Sequence, residues 1–219
     1  MKKKAIIFDM DGVIIDTEAY YMQLLRKNFE ELNIAYTEEL LYSFVGSNDN
    51  VVAKKLDQLL QPQMSGKAFL ERVNNSLQPT KEIYMNLKKD GLYETLTHFK
   101  SKGYKLGLAS SSPRKLILKT LELLEVASFF EEVSSGEEYE ESKPNPEIYM
   151  HTMEKLGVST EECVVVEDST FGIEAGKAAG IYVIAIKDVE FGMNQEAADI
   201  IVDGLEDIIK VVEDLERNE

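Results

Sequence analysis

The sequence predicts a doubly wound α/β protein: a parallel sheet with helices on both faces, and one helical block inserted after the first strand. Three observations carry this reading. Short β-branched apolar runs recur along the chain, stretches with helical spacing separate them, and one long segment breaks the alternation. Near-continuous Val/Ile runs mark strands buried on both faces, and their alternation with helices is the pattern of a parallel α/β sheet.

In chain order, the first strand is Ala5–Phe8, which runs into Asp9-Met10-Asp11-Gly12-Val13. From Thr17 to about Tyr84 only helical periodicity is found, as at Tyr20, Leu24, Leu25, Phe29 and Leu32. Loops at Gly46-Ser47-Asn48, Gln61-Pro62-Gln63 and Gln78-Pro79-Thr80 punctuate it. This divides the chain into a core, 1–16 with 84–219, and a helical domain, 17–83. A block inserted there is expected to stand above the C-terminal end of the first strand, where open α/β sheets bind ligands. The core continues with a helix over Leu92–Lys102, a strand over Tyr104–Ala109 and a helix over Pro113–Leu124. Pro113 suits the first helical position and Ser112 its N-cap, which would leave free N–H groups for an anion. A weak strand at Val133 follows, then a helix over Pro146–Leu156, a strand at Val164–Val166 and a helix over Ser169–Ala179. Strands at Ile181–Ile186 and Ile200–Val202 and a helix over Leu205–Leu215 complete the chain.

Composition narrows the function. The 219 residues are 44% hydrophobic and 29% charged, a globular balance. A chain of this size folds without a disulfide or structural metal, and the single Cys163 fits a reducing compartment. The longest apolar run, Ile181–Ile186, is far short of the ~20 residues that span a bilayer. The apolar stretch behind Met1-Lys2-Lys3-Lys4 ends at Asp9, too soon for a secretory signal, so a cytoplasmic protein is expected. A net charge of −16 repels a nucleic-acid backbone. The expected partner is a small molecule, with neither nucleic acid nor membrane, and the expected state is a monomer.

The chemistry gathers at strand ends. Asp9 and Asp11 lie two residues apart where the first strand stops, so both address one space. The second strand ends in Ser110-Ser111-Ser112-Pro113, and the Val164–Val166 strand in Glu167-Asp168-Ser169. One such junction alone is an ordinary cap or turn. Three of them on one parallel sheet crowd Asp9, Asp11, Glu167 and Asp168 into a single crevice, which calls for a cation. Oxygen-only ligands favour a hard ion such as Mg²⁺. Lys143, in Ser142-Lys143-Pro144-Asn145-Pro146, is the basic residue with a distinctive setting, since two of the five prolines stiffen its loop. The acidic run Gly136-Glu137-Glu138-Tyr139-Glu140-Glu141 reads as a solvated loop.

Asp9-x-Asp11-Gly12-Val13, the Ser110 strand end, Lys143-Pro144 and Glu167-Asp168-Ser169-x-x-Gly172 stand in the order of the four motifs of the haloacid dehalogenase superfamily, which the chain resembles over nearly its whole length. The helical insert resembles the cap of its phosphatase and β-phosphoglucomutase branch, and Asp-x-Asp is the phosphotransferase form of the first motif. The resemblance implies a Rossmann-like core with an inserted α-helical cap. It implies Asp9 as the nucleophile that forms an aspartyl-phosphate, and Asp11 as the acid and base that also lends its main-chain carbonyl to Mg²⁺. Asp9, Asp11 and Asp168 would hold the metal, with Glu167 direct or through water. Ser110, Ser111 and Lys143 would hold the phosphoryl oxygens. Phosphoryl transfer is mostly positioning and charge neutralisation, which this set of residues suits.

Other motifs fail on inspection. Gly172-Ile173-Glu174-Ala175-Gly176-Lys177 is one residue short of a P-loop, and Ala178 replaces the required hydroxyl. Cys163 reads as a core residue, His98 and His151 as surface residues, and no Gly-x-Ser-x-Gly elbow is present. The expected function is Mg²⁺-dependent hydrolysis of a small phosphate monoester, a sugar phosphate or similar metabolite. The alternatives are a β-phosphoglucomutase-type mutase and a non-catalytic regulatory protein of the same fold. Against the mutase, those enzymes carry a His where Tyr21 stands and an Arg in the loop where this chain has Gly46-Ser47-Asn48-Asp49. A mutase needs such a clamp for the far phosphate of its intermediate. Lys54 or Lys55 would be nearby substitutes, as less directional point charges.

Overall fold

A computed structural model describes residues 2–45, 49–76 and 80–217. The expected loop Gly46-Ser47-Asn48 and the Gln78-Pro79 part of the second crossing into the core lie outside them. The chain forms two compact units, Met1–Asp16 with Lys81–Glu219, and Thr17–Thr80.

The Thr17–Thr80 unit is helical throughout its described elements: α1 (Thr17–Glu31), α2 (Glu38–Tyr42), α3 (Asp49–Leu60) and α4 (Gly66–Ser76). Its helix starts follow the capping rules. Thr37 accepts from Leu40 N at 3.2 Å, and Ser65 accepts from Ala68 N at 3.2 Å. Leu25, Phe29, Leu41, Leu56, Phe69 and Val73 are fully buried, with the rings of Phe29 and Phe69 4.6 Å apart. Inside this layer Asn28 donates to Leu24 O and accepts from Arg72 Nε at 2.9 Å, so the buried amide is satisfied.

The larger unit holds α5 (Lys81–Leu87), α6 (Leu92–Ser101), α7 (Arg114–Leu123), α8 (Glu147–Leu156), α9 (Thr170–Ala178) and α10 (Leu205–Arg217). Its strands are β1 (Ala5–Phe8), β2 (Lys105–Ser110), β3 (Glu132–Ser135), β4 (Cys163–Glu167), β5 (Tyr182–Ile186) and β6 (Ile200–Val202). All pair in parallel, in the order β3-β2-β1-β4-β5-β6. The fold is therefore α/β and Rossmann-like, as the alternation of apolar runs and helices predicts. Although β1 and β4 are buried along their whole length, the pleat still sorts their residues. Ile6, Phe8, Leu106, Leu108, Val164, Val166, Ile184 and Ile186 share one apolar cluster with α5, α6, α7 and α10. Ala5, Ile7, Ala109, Val165, Val183 and Ala185 share the other with α8 and α9.

Register sets the level of the strand ends. Phe8 lies opposite Leu108 of β2 and Val166 of β4. The next residues along, Asp9, Ala109 and Glu167, therefore stand at one level. Chain order reverses between β1 and β4, the switch point at which open α/β sheets bind ligands. Just past β1 the chain meets its own return: Asp16 N donates to Leu87 O and Lys89 N to Ile14 O. No described helix is long and apolar enough to cross a membrane.

One expected cap is corrected. Pro113, not Ser112, stands at the N-cap position of α7, with φ −56° and ψ 137°. The hydroxyl of Ser112 is drawn instead to Asp11 Oδ2, at 3.0 Å.

Candidate active site

Lys143 is the centre of the cluster at the switch point. Its side chain is only 6% exposed, and its ammonium donates to Asp9 Oδ1 (2.5 Å), Glu167 Oε1 (2.7 Å) and the carbonyl of Ala109 (3.0 Å). All three protons are thus used, on residues from the ends of β1, β2 and β4. Behind them, the ring of Tyr149 lies 4.8 Å from the same nitrogen. Burial alone would lower the pKa of Lys143, but the charges of Asp9 and Glu167 outweigh it and hold the ammonium protonated.

Glu167 is fully buried. Its Oε1 accepts from Lys143 and from the hydroxyl of Tyr149 (2.7 Å). Its Oε2 accepts from Asp168 N (3.0 Å), Ser169 N (3.1 Å) and Ser169 Oγ (3.0 Å). Burial would raise its pKa, yet these partners keep it below the ordinary value, with Lys143 foremost. Ser169 also caps α9 by accepting from Gly172 N at 3.0 Å. Gly172 is required here, because a Cβ on it would fall 1.7 Å from Glu167 Oε1.

The second glycine of the motifs serves Asp168. Gly12 turns the chain with φ +80°, and a Cβ on it would fall 1.9 Å from Asp168 Oδ2. Ligand oxygens of Asp9, Glu167 and Asp168 lie within 4.8 Å of one another. The carboxyls of Asp9 and Asp168 are strained electrostatically. Burial and neighbouring acids push Asp9 up to about 8 against the pull of Lys143. Burial, then Glu167, Asp9 and Asp11, raise Asp168 well above the usual carboxylate range. One buried ammonium does not neutralise this many acids. The cluster is chemically suited to a hard divalent cation, which takes oxygen ligands and removes the repulsion.

Of the residues singled out in the sequence, Asp9, Lys143, Glu167 and Asp168 converge directly. Ser110 is buried at the end of β2, where its hydroxyl accepts from Ser112 N at 3.1 Å. Asp11 is joined to the same turn through Ser112, and Ser111 stands on the exposed rim, 3.4 Å from Ser142 Oγ. At the start of α7 the N–H of Arg114 is already taken, by Glu137 at 3.0 Å. Glu138 pairs with the Arg114 guanidinium, so that acidic run is partly structural rather than simply solvated. Cys163 is buried, which pushes its thiol up to about 12 and removes it as a nucleophile.

Two contributors escape the sequence reading. Tyr149 has the spacing of a core aromatic on α8, and its one signal is a phenol where a fully apolar helix face needs none. Gln195 lies in the irregular segment after β5 and carries no periodic signal. Its buried amide donates to Asp168 O (2.6 Å) and Ile186 O (2.7 Å) and accepts from Asp188 N (3.1 Å), which ties the ends of β4 and β5 together.

Comparison with known proteins agrees with this geometry. The family of haloacid dehalogenase-like hydrolases matches residues 6–186. A phosphorylated carbohydrates phosphatase of Thermotoga maritima is 37% identical over 180 residues, covering 81% of this chain and 82% of that protein. A Thermotoga maritima crystal structure named provisionally as a β-phosphoglucomutase superimposes with TM-score 0.79 at 33% identity, covering 96% and 99% of the two chains. YfnB of Bacillus subtilis, in a magnesium-bound crystal structure, has the same fold, with TM-score 0.77 at 20% identity over 97% and 100%. The chain belongs to the haloacid dehalogenase-like hydrolase family and is an enzyme of the hydrolase or phosphotransferase kind.

Proposed function

We propose that this protein is a magnesium-dependent phosphohydrolase that cleaves small phosphate monoesters, phosphorylated carbohydrates foremost, through a phosphorylated Asp9. The observation that carries the reading is the ammonium of Lys143 fixed 2.5 Å from Asp9 Oδ1 and 2.7 Å from Glu167 Oε1, at the meeting of three strand ends. It supplies a buried positive charge beside the candidate nucleophile, where phosphoryl oxygens would arrive. The T. maritima phosphatase, by its name, supports the substrate class.

In this scheme a carboxylate oxygen of Asp9 attacks phosphorus, and the bond from phosphorus to the ester oxygen breaks. Asp11, positioned by its bond from Ser112 Oγ, gives its proton to the departing alkoxide. Water then attacks the acyl phosphate, Asp11 takes the proton back, and Asp9 is regenerated as phosphate leaves. Ser110, Ser111 and Lys143 hold the phosphoryl oxygens. Asp9 and Asp168, with the main-chain carbonyl of Asp11, would hold Mg²⁺, which when bound neutralises the phosphoryl charge against these acids. Glu167, with five donors already on its two oxygens, holds Lys143 and the start of α9 rather than a metal directly.

A mutase reading has its own support in the name of the T. maritima structure. Against it, the ammonium of Lys55, one of the two candidate substitutes for a distal phosphate clamp, is bound to Ser43 O at 2.5 Å within the helical unit. A panel of phosphorylated carbohydrates with Mg²⁺ tests the activity, and β-glucose 1-phosphate with a bisphosphate primer separates the two readings. Free phosphate is the expected product. Conversion to glucose 6-phosphate with little phosphate released would establish the mutase instead.

A further inference from the structure

Tyr149 is a fully buried side chain that touches two residues of the cluster and has no part in the chemistry just described. Its phenol donates to Glu167 Oε1 at 2.7 Å, and the face of its ring lies 4.8 Å from Lys143 Nζ. Lys143 donates to that same carboxylate oxygen at 2.7 Å and to Asp9 at 2.5 Å. The two acids therefore compete for one ammonium, and the competition decides where the charge sits. Glu167 is the stronger claimant by burial, being wholly enclosed while Asp9 retains 7% exposure. The other oxygen of Glu167 is filled by Asp168 N, Ser169 N and Ser169 Oγ, so Oε1 is where the balance is set. A neutral donor on Oε1 occupies a lone pair that would otherwise draw the ammonium inward. The ring, meanwhile, gives the ammonium a face to rest on without offering it an acceptor.

We propose that Tyr149 is a positioning residue: by sharing Glu167 Oε1 with Lys143 and backing its ammonium with the ring, it keeps Lys143 turned toward Asp9 and the phosphoryl group. The inference rests on the proposed phosphoryl chemistry for its consequence in turnover, but not for its consequence in phosphate binding. Tyr149→Phe is the sharp variant, because it keeps the ring and removes the one donor. Glu167 then has a free lone pair, and Lys143 moves toward it and away from Asp9.

The test uses the full chain, metal-free for the Mg²⁺ titration and loaded with Mg²⁺ for the rest, and measures three quantities for parent and Tyr149→Phe. These are the affinity for inorganic phosphate by calorimetry, the affinity for Mg²⁺ by the same method, and kcat with KM on whichever phosphate ester the parent cleaves best. The expected result is a phosphate affinity weakened about tenfold and a kcat lowered by a similar factor, the scale of one hydrogen bond to a charged group. Mg²⁺ affinity should not fall, because Asp9 and Asp168 keep their carboxylates and a retreating ammonium removes a competing charge from Asp9. A variant equal to the parent in phosphate affinity and kcat would overturn the proposal. So would parallel losses of Mg²⁺ and phosphate affinity, which would mark a general loosening of the site. If no ester is cleaved by either protein, the functional reading fails, yet the phosphate titration still decides the role of Tyr149.

Discussion

Single residues at the switch point are constrained by volume as much as by charge. Glu167 stands in a space that exists because residue 172 has no side chain, and Asp168 in one that exists because residue 12 has none. Gly172→Ala would drive a methyl into Glu167 at 1.7 Å. That carboxylate cannot swing aside cheaply, because five donors hold it in a dry pocket. Breaking a buried ion pair costs about 3–5 kcal/mol, which for a chain of this size is a fall in Tm of roughly 6–20 °C. Calorimetric melting of Gly172→Ala checks this, and a Tm within about 2 °C of the parent would show that Glu167 is free to relax.

At the scale of the element, the inserted segment reads only as helical, without bounds for α1 to α5. The core helices and strands for which the apolar runs give bounds are legible to within a residue or two, and the departures have local causes. The strand expected over Tyr104–Ala109 begins one residue later and includes Ser110, because Ser110 pairs with Ser135 of β3. Pro113 displaces Ser112 as cap, because the Ser112 hydroxyl has a better partner in Asp11. Asp9, Asp11, Glu167 and Asp168 were visible because strand ends can be read from apolar runs. Tyr149 and Gln195 were not, because their partners are set by how α8 and the segment after β5 pack against distant strands. The helices on one face of the sheet also carry a cost. Thr95 of α6 and Thr120 of α7 are fully buried, and their hydroxyls have no partner among the described residues. Replacing either by the near-isosteric Val removes an unsatisfied group, so Thr95→Val and Thr120→Val should each stabilise the protein by about 1–2 kcal/mol. Denaturant unfolding at constant m-value reads this directly, and a destabilised variant would mean the hydroxyl is satisfied in solution.

For the whole molecule, the net charge of −16 and the crowded acids of the switch point act in the same direction. Bound Mg²⁺ should therefore stabilise the fold. At a concentration a hundredfold above Kd the gain is about 2.7 kcal/mol, a rise in Tm of roughly 5–10 °C. The pH dependence follows from Asp9, whose pKa in the folded metal-free protein is pushed up to about 8. Below that value the ion must displace a proton, and above it the carboxylate is already charged. The Tm shift should thus grow as pH rises from about 6 to about 8. Asp168→Asn should lose most of the shift while melting no lower than the metal-free parent, since it removes one of the repelling charges. A full shift in that variant would place the ion elsewhere.

The central claim is that Asp9 is the nucleophile of a magnesium-dependent phosphohydrolase, and the most direct measurement is phosphate release from phosphorylated carbohydrates by parent and Asp9→Asn, each with Mg²⁺ and with chelator. The amide keeps the shape of Asp9 but is a poor nucleophile and a weaker ligand. The account predicts release by the parent with Mg²⁺, loss of that release on chelation, and no measurable release by a folded Asp9→Asn in either condition. Release by Asp9→Asn within about tenfold of the parent, a deficit of only ~1.4 kcal/mol in the barrier, would contradict it.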